Sequence, residues 1–416
     1  MYDQWTMPNG LRVVGEYLSH VRSASIGVWI KVGSMMEAPM ENGLSHFIEH
    51  MVFKGTQKRT ARDIAEEMDA VGGQLNAFTA KECTCFYAKV IDEDLSLAVD
   101  ILSDLTLNAT LDDRELNKER GVILEEISMV EDTPEDLVHE LLSEAQFSGQ
   151  ALGMPILGPA ERIRKYRRED LYAFRNTHYR PENVVVSIAG NYDRAQLEKL
   201  LNDAFGAWKG TGVADTTPET MVRTQQILFR DKDTEQVHIC MGYPGKPLGH
   251  DDIYPVAVFN NILGGGMSSR LFQRIREELG MAYSIYSYPA TYPNCGVLNL
   301  YAGTSPENAG TVLTQMEIEV KKLLQGGCTD KEFSQSKAQL KGSYILGLES
   351  ASSRMQSIGR GELLLRHPST PEETIAKIER VTKDDVMRVA SEILSCRPSV
   401  AVVGKHAEKY GQFIQK

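Results

Sequence analysis

His46-Phe47-Ile48-Glu49-His50 is the part of this 416-residue chain best equipped for chemistry. It lies within Gly43-Leu44-Ser45-His46-Phe47-Ile48-Glu49-His50-Met51-Val52-Phe53-Lys54-Gly55, whose apolar spacing predicts a helix ending near Gly55. One turn separates His46 from His50, so both imidazoles reach a single ion from one helix face. Glu49 leans toward the same side without having to be a ligand. Two neutral nitrogens with a carboxylate beside them are what a hydrolytic zinc site needs, and H-x-x-E-H is the inverted order of the commoner zinc-protease motif. The bland alternative is two solvent-facing histidines on an ordinary amphipathic helix. It fits poorly, because Leu44, Phe47, Ile48, Met51, Val52 and Phe53 predict a buried segment, where unpaired polar groups are costly.

A catalytic zinc takes three protein ligands and leaves a position for water, and no third histidine is near in sequence. The acidic run 111–128 predicts a helix that Asp112 or Asp113 suits as a cap. Glu119 and Glu126 lie two turns apart on one of its faces, with Glu115 one turn further back. Glu125 points about 100° away, toward solvent. Taken alone, this pattern reads more readily as a charged outer face with i,i+4 pairs.

The elements that must position these groups occur twice. Residues 25–30 alternate as a strand and are followed by the apolar helix with the histidines; residues 236–241 form a similar strand, followed by the apolar helix 254–263. A helix from Glu169-Asp170 leads through Arg180-Pro181 to the strand 183–188, closing at Gly190. Likewise a helix from Asp384-Asp385 leads through Arg397-Pro398 to 400–403, closing at Gly404. Two α+β domains are therefore expected, each a mainly antiparallel sheet packed with helices: 1–209, then 223–416, joined by a linker at 210–222 of Gly/Thr/Pro composition. On this register His46, Glu49 and His50 correspond to Ala257, Asn260 and Asn261, so the second copy has no zinc site.

Composition narrows the classes. A net charge of −12 argues against a nucleic-acid partner and favours basic ligands if the acidity lines a cavity. Six scattered cysteines without a C-x-x-C pair read as free thiols in a reducing compartment. No signal peptide, transit peptide or membrane-spanning run is evident, so a bacterial cytoplasm is expected, with a mitochondrial matrix after presequence removal as the alternative. Gly264-Gly265-Gly266 invites a phosphate-loop reading, but the Lys and the spacing of that loop are missing.

The combined pattern resembles the M16 (pitrilysin/insulysin) metallopeptidases, and among them the mitochondrial-processing-peptidase-like branch (M16B). The likeness covers the whole chain: the Asn9-Gly10-Leu11 opening, the pentad at 46–50, the segment Gly72-Gly73-Gln74-Leu75-Asn76-Ala77-Phe78-Thr79, Glu119-Arg120 ahead of Glu126-Ile127, and the degenerate second half. The resemblance implies that His46, His50 and Glu126 bind one zinc ion per chain, with Glu49 as general base and Glu119 a supporting carboxylate. It implies that Tyr283 hydrogen-bonds the developing oxyanion and Arg276 holds a substrate carbonyl, with Arg274 close by as the alternative arginine. A charged helix face followed by a strand tyrosine is the plainer reading of these two. Asn76, Ala77, Phe78 and Thr79 resemble an edge strand onto which an extended substrate adds as a further strand.

The activity implied is zinc-dependent endopeptidase cleavage of unfolded peptides or presequences inside a closed chamber. Each chain would form half of a clamshell, paired as a homodimer or with an inactive sister subunit as a heterodimer. The rival is a non-catalytic structural or peptide-binding subunit of the same family. Such subunits have typically lost ligands or the base, whereas His46, Glu49, His50, Glu119 and Glu126 are all present.

Overall fold

A computed structural model describes residues 2–210 and 221–414. The first sheet contains β1 (Asp3–Thr6), β2 (Arg12–Tyr17), β3 (Ser23–Ile30), β4 (Gln74–Thr79), β5 (Thr84–Ile91) and β6 (Val184–Gly190), in the order β1-β2-β6-β3-β5-β4. Only β2 and β6 run parallel; the other neighbours are antiparallel. The second sheet contains β7 (Ile227–Asp231), β8 (Val237–Pro244), β9 (Ala282–Thr291), β10 (Gly296–Thr304) and β11 (Ser399–Gly404), in the order β7-β11-β8-β10-β9, with β7 and β11 parallel. Apart from β1, the second sheet repeats the order of the first. The mixed α+β architecture of two similar halves is thus visible in the strand order itself.

Five helices carry the candidate groups or cover the sheets that position them: α1 (Leu44–Val52), α2 (Asp113–Asp132), α3 (Pro134–Gln146), α4 (Ile253–Leu263) and α5 (Ala351–Leu365). The nearly continuous apolar run of β6 is buried throughout, as a central strand covered on both faces requires. Along β3, Ala24, Ile26, Val28 and Ile30 join Phe47, Ile48 and Met51 of α1 in the main core. Trp29 faces the opposite way, into a second layer with Cys85 and Val185.

That second layer is closed by α5, which comes from the far end of the chain and contributes Met355, Ile358 and Leu363. The second sheet is served reciprocally: α3, from the first half, packs Leu137, Val138, Leu141 and Leu142 against Cys240, Tyr301, Ala401 and Val403. The compact units are consequently discontinuous. One consists of Met1–Ile127, Pro155–Thr217 and Ile345–Thr370; the other of Ser128–Met154, Pro218–Tyr344 and Pro371–Lys416. The sheets follow the halves 1–209 and 223–416, while one stretch of chain is exchanged each way. Of the expected linker 210–222, residues 211–220 lie outside the described residues.

The exchanged helix α5 sits tightly. Trp29 Nε1 donates to Ser187 Oγ at 2.7 Å, and a Cβ on Gly359 of α5 would lie 2.3 Å from Trp29 Nε1 and 2.6 Å from Ser187 Oγ. Gly→Ala inside a helix normally stabilises, but here the rigid indole cannot yield. Gly359→Ala is expected to destabilise by about 1–3 kcal/mol, as overpacking does, read as a lower urea midpoint; a raised midpoint would contradict this packing.

All six cysteines are free thiols, and no helix among the described residues is long and apolar enough to cross a membrane.

Candidate metal centre

α1 is driven inward by Leu44, Phe47, Ile48, Met51 and Val52, all buried. The remaining face turns His46 and His50 to one side, with ring centroids 4.6 Å apart. α2 begins at a turn capped by Asp112, whose Oδ1 accepts from Arg114 N at 2.8 Å. Its buried residues Leu116, Glu119 and Ile123 set its rotation. That rotation brings Glu126 to the histidines and leaves Glu125 exposed.

Glu126 Oε2 lies 3.6 Å from His46 Nε2 and 3.4 Å from His50 Nε2. In a tetrahedral zinc site with bonds of about 2.0–2.1 Å, neighbouring ligand atoms are about 3.3 Å apart. Glu126 therefore already stands at ligand–ligand spacing from both imidazoles, and the three ligand atoms all lie within 4.8 Å of one another. They form the only His/Cys/Asp/Glu set among the described residues whose ligand atoms approach one another closely enough to share an ion. Burial, reinforced by the neighbouring His50, pushes the His46 imidazole down to about 3, which keeps it in the neutral, ligating form. The donor set fits zinc.

Behind this cluster, Glu119 Oε2 lies 3.2 Å from His50 Nδ1, and its other oxygen pairs with Lys54 Nζ at 2.8 Å. A carboxylate on the second ring nitrogen directs the first toward a metal. The sequence pattern grouped Glu119 with Glu126 on one face, and Glu119 does lie against His50; Lys54 was not anticipated, although its position one turn after His50 was a usable signal.

Glu49 is not part of the candidate cluster of His46, His50 and Glu126. Its Oε2 accepts a hydrogen bond from Thr79 Oγ1 at 2.5 Å. Burial raises the Glu49 pKa, an effect opposed by that bond; a carboxylate poised nearer neutrality suits proton transfer. Thr79 ends β4, so Asn76, Ala77, Phe78 and Thr79 lie on an edge strand paired only to β5. Phe78 packs edge-on against Trp29, whereas Thr79 turns toward α1.

The second half keeps this local contact without the chemistry. On the register that aligns β3 with β8 and β4 with β9, Glu49 corresponds to Asn260 and Thr79 to Ser287. Ser287 Oγ donates to Asn260 Oδ1 at 2.7 Å. A bond between helix and edge strand is therefore common to both units, and only the first has a carboxylate there.

One further group escaped the sequence reading. α1 starts at Gly43, which adopts φ 100° and has no capping side chain of its own. Instead Glu37, six residues upstream and 3% exposed, receives Gly43 N at 2.8 Å, Ser45 N at 2.7 Å and Asn42 Nδ2 at 3.0 Å. The spacing is not that of a helix cap, so no local pattern revealed it.

Arg276 and Tyr283 fall in the second unit, close to each other. Arg276 Nη1 donates to the Tyr283 carbonyl at 2.8 Å, and its guanidinium lies over the Tyr283 ring at 4.7 Å. The Tyr283 side chain is 77% exposed at the start of edge strand β9. Arg274 is engaged differently, by Glu278 at 2.7 Å and Gln315 at 3.3 Å. Phe272–Glu278, which carries both arginines, is a π-helical turn, a form often found at functional sites.

Two similar α+β units, of which among the described residues only the first bears a histidine pair with a remote glutamate, define a two-domain metallopeptidase scaffold. The chain belongs to peptidase family M16. The family model described as "Insulinase (Peptidase family M16)" matches residues 12–160, and that described as "Peptidase M16 inactive domain" matches 165–340. A Bacillus subtilis protein named "uncharacterized zinc protease YmxG" is 43% identical over 403 residues, covering 97% of this chain and 98% of the relative. A Streptomyces coelicolor protein, also named an uncharacterized zinc protease, is 41% identical over 411 residues, covering 97% and 90%. In fold, the chain matches the crystal structure of a protease from Helicobacter pylori with a TM-score of 0.91 at 22% identity, over 97% of this chain and 99% of that one.

Proposed function

We propose that this chain is a zinc-dependent endopeptidase of the M16B type that cleaves unfolded peptides or presequences. The observation that carries the reading is the convergence of His46, His50 and Glu126 at ligand spacing, beside a non-ligating Glu49 held by the last residue of an open edge strand. Zinc bound by those three residues would supply Lewis-acid activation of a water and of the scissile carbonyl. Glu49 takes the proton of the attacking water on its carboxylate and delivers it to the leaving amine. Glu119 keeps the His50 ring oriented.

The outer edge of β4 is not covered by another strand and is open to an extended peptide, which would displace the local bond from Ala77 N to Asn76 Oδ1; affinity from main-chain pairing needs little side-chain sequence. Thr79 ties that strand to the base, which sets the scissile bond next to Glu49. For Tyr283 and Arg276 we retain the roles of oxyanion donor and substrate-carbonyl contact; the exposure of Tyr283 and its cationic neighbour support them. Two chains would pair to enclose the peptide, as a homodimer first and with an inactive sister subunit second. The bacterial relatives favour a cytoplasmic setting.

The test is metal content together with turnover. Purified protein is expected to hold about one zinc per chain and to hydrolyse a quenched fluorogenic peptide. Removing the metal with a chelator is expected to abolish hydrolysis, and added zinc to restore it. A zinc-loaded protein that binds the peptide without cutting it would favour the non-catalytic alternative.

A further inference from the structure

We propose that Glu37 is a positioning residue for the metal centre, holding the first turn of α1 so that His46 points at the ion. The inference rests on His46, His50 and Glu126 being the zinc ligands. The two histidines are held by different means. His50 has a carboxylate, Glu119, on its second ring nitrogen. His46 has none: its Nδ1 is buried and meets no hydrogen-bond partner. A ring with no acceptor behind it takes its direction from its rotamer and from the backbone beneath it.

That backbone is the first turn of α1. Leu44, Ser45 and His46 are its first three residues, and the N–H groups there have no intrahelical acceptor. Glu37 receives one of them, from Ser45, together with the N–H of the N-cap residue Gly43, one on each oxygen. Asn42 anchors the carboxylate further, and itself donates to the Pro155 carbonyl at 2.9 Å. Tyr166 Oη closes the cluster by donating to the Asn42 carbonyl at 2.9 Å. The turn that carries His46 is thus bonded on its open end to a buried acceptor that three donors hold in place.

The repeated fold supplies an internal comparison. α4 occupies the place of α1 in the second unit, and its N-cap residue Asp252 makes no side-chain capping bond. On the register that pairs β3 with β8, Glu37 corresponds to Leu248. The helix folds and packs there without a buried carboxylate. The carboxylate is present in the unit whose helix carries metal ligands.

Glu37→Gln keeps the volume but places an amide NH2 against backbone donors, so at least one of the three bonds is lost. The expected result is zinc affinity about 10- to 100-fold weaker, the loss typical of residues that orient a ligand, measured by competition with a chromophoric chelator. Amide exchange at Gly43 and Ser45 is expected to accelerate in parallel. A solely structural role would lower the melting temperature and leave zinc affinity unchanged in the folded protein, and that result overturns the proposal. Should Glu37→Gln fail to fold, Asn42→Ala decides: it removes one donor and leaves the carboxylate, and is expected to weaken zinc binding by a smaller factor. An unchanged affinity there overturns the proposal equally. Wild-type protein that binds no zinc would instead refute the proposed function, so the two failures are distinguishable.

Discussion

Glu49→Gln is expected to leave zinc content unchanged and to reduce peptide hydrolysis about 10²–10⁴-fold, the contribution of a positioned proton-transfer group. Metal is retained because Glu49 is outside the cluster of His46, His50 and Glu126 that could hold the ion. Position is retained because glutamine has the same length and its amide oxygen still accepts from Thr79 Oγ1. The second unit already displays this arrangement, with Ser287 donating to the Asn260 amide oxygen. What the substitution removes is the ability to take a proton from water and return it to an amine. Metal analysis and turnover of a fluorogenic peptide on the same preparation check both halves. Near wild-type turnover would remove Glu49 from the mechanism, and loss of metal would show it to be a ligand.

Glu126→Ala and His50→Ala are expected to lose both metal and activity, the affinity falling beyond the 10- to 100-fold typical of residues behind the ligands. The informative control is the neighbouring acid. Glu125→Ala is expected to keep zinc and turnover within about twofold, because one residue is about 100° of helix and Glu125 is exposed. Glu119→Gln is expected to fall between these, since His50 Nδ1 loses a carboxylate but no ligand is removed. Stoichiometry after dialysis and chelator competition rank the four variants. A zinc-replete Glu126→Ala protein would mean that another acid is the third ligand.

Much of the centre was legible from period alone. His46 and His50 share a face because four residues are one turn, and the surrounding apolar residues required that helix to be buried. The phase of the acidic helix grouped Glu119 with Glu126 against Glu125. It did not say that this face meets the histidines, because the same charges suit a solvated surface. The structure resolves that ambiguity through Leu116 and Ile123, whose burial turns the helix.

The contacts that hold the site were not legible. Thr79 reaches Glu49 across 30 residues of sequence and Glu119 reaches His50 across 69. Glu37 caps α1 through a loop, at a spacing no capping pattern describes. The surroundings of the two arginines also needed coordinates: Arg276 lies over Tyr283, while Arg274 is held by Glu278. For α3 and α5, amphipathicity shows that a helix needs an apolar surface but not which surface. Their exchange between the units was therefore invisible in a repeat that looked like two consecutive halves.

By itself the sequence determined the groups capable of chemistry, the helix faces they occupy and the doubling of the fold, because those follow from side-chain type and from periods of two and 3.6 residues. Tertiary structure alone decided that Glu126 closes on His46 and His50, that Glu49 is tied to an edge strand, and that a buried carboxylate fixes the turn bearing His46. These are meetings between segments far apart in the chain, set by how the cores of α1, α2 and the first sheet pack, and no local period encodes them.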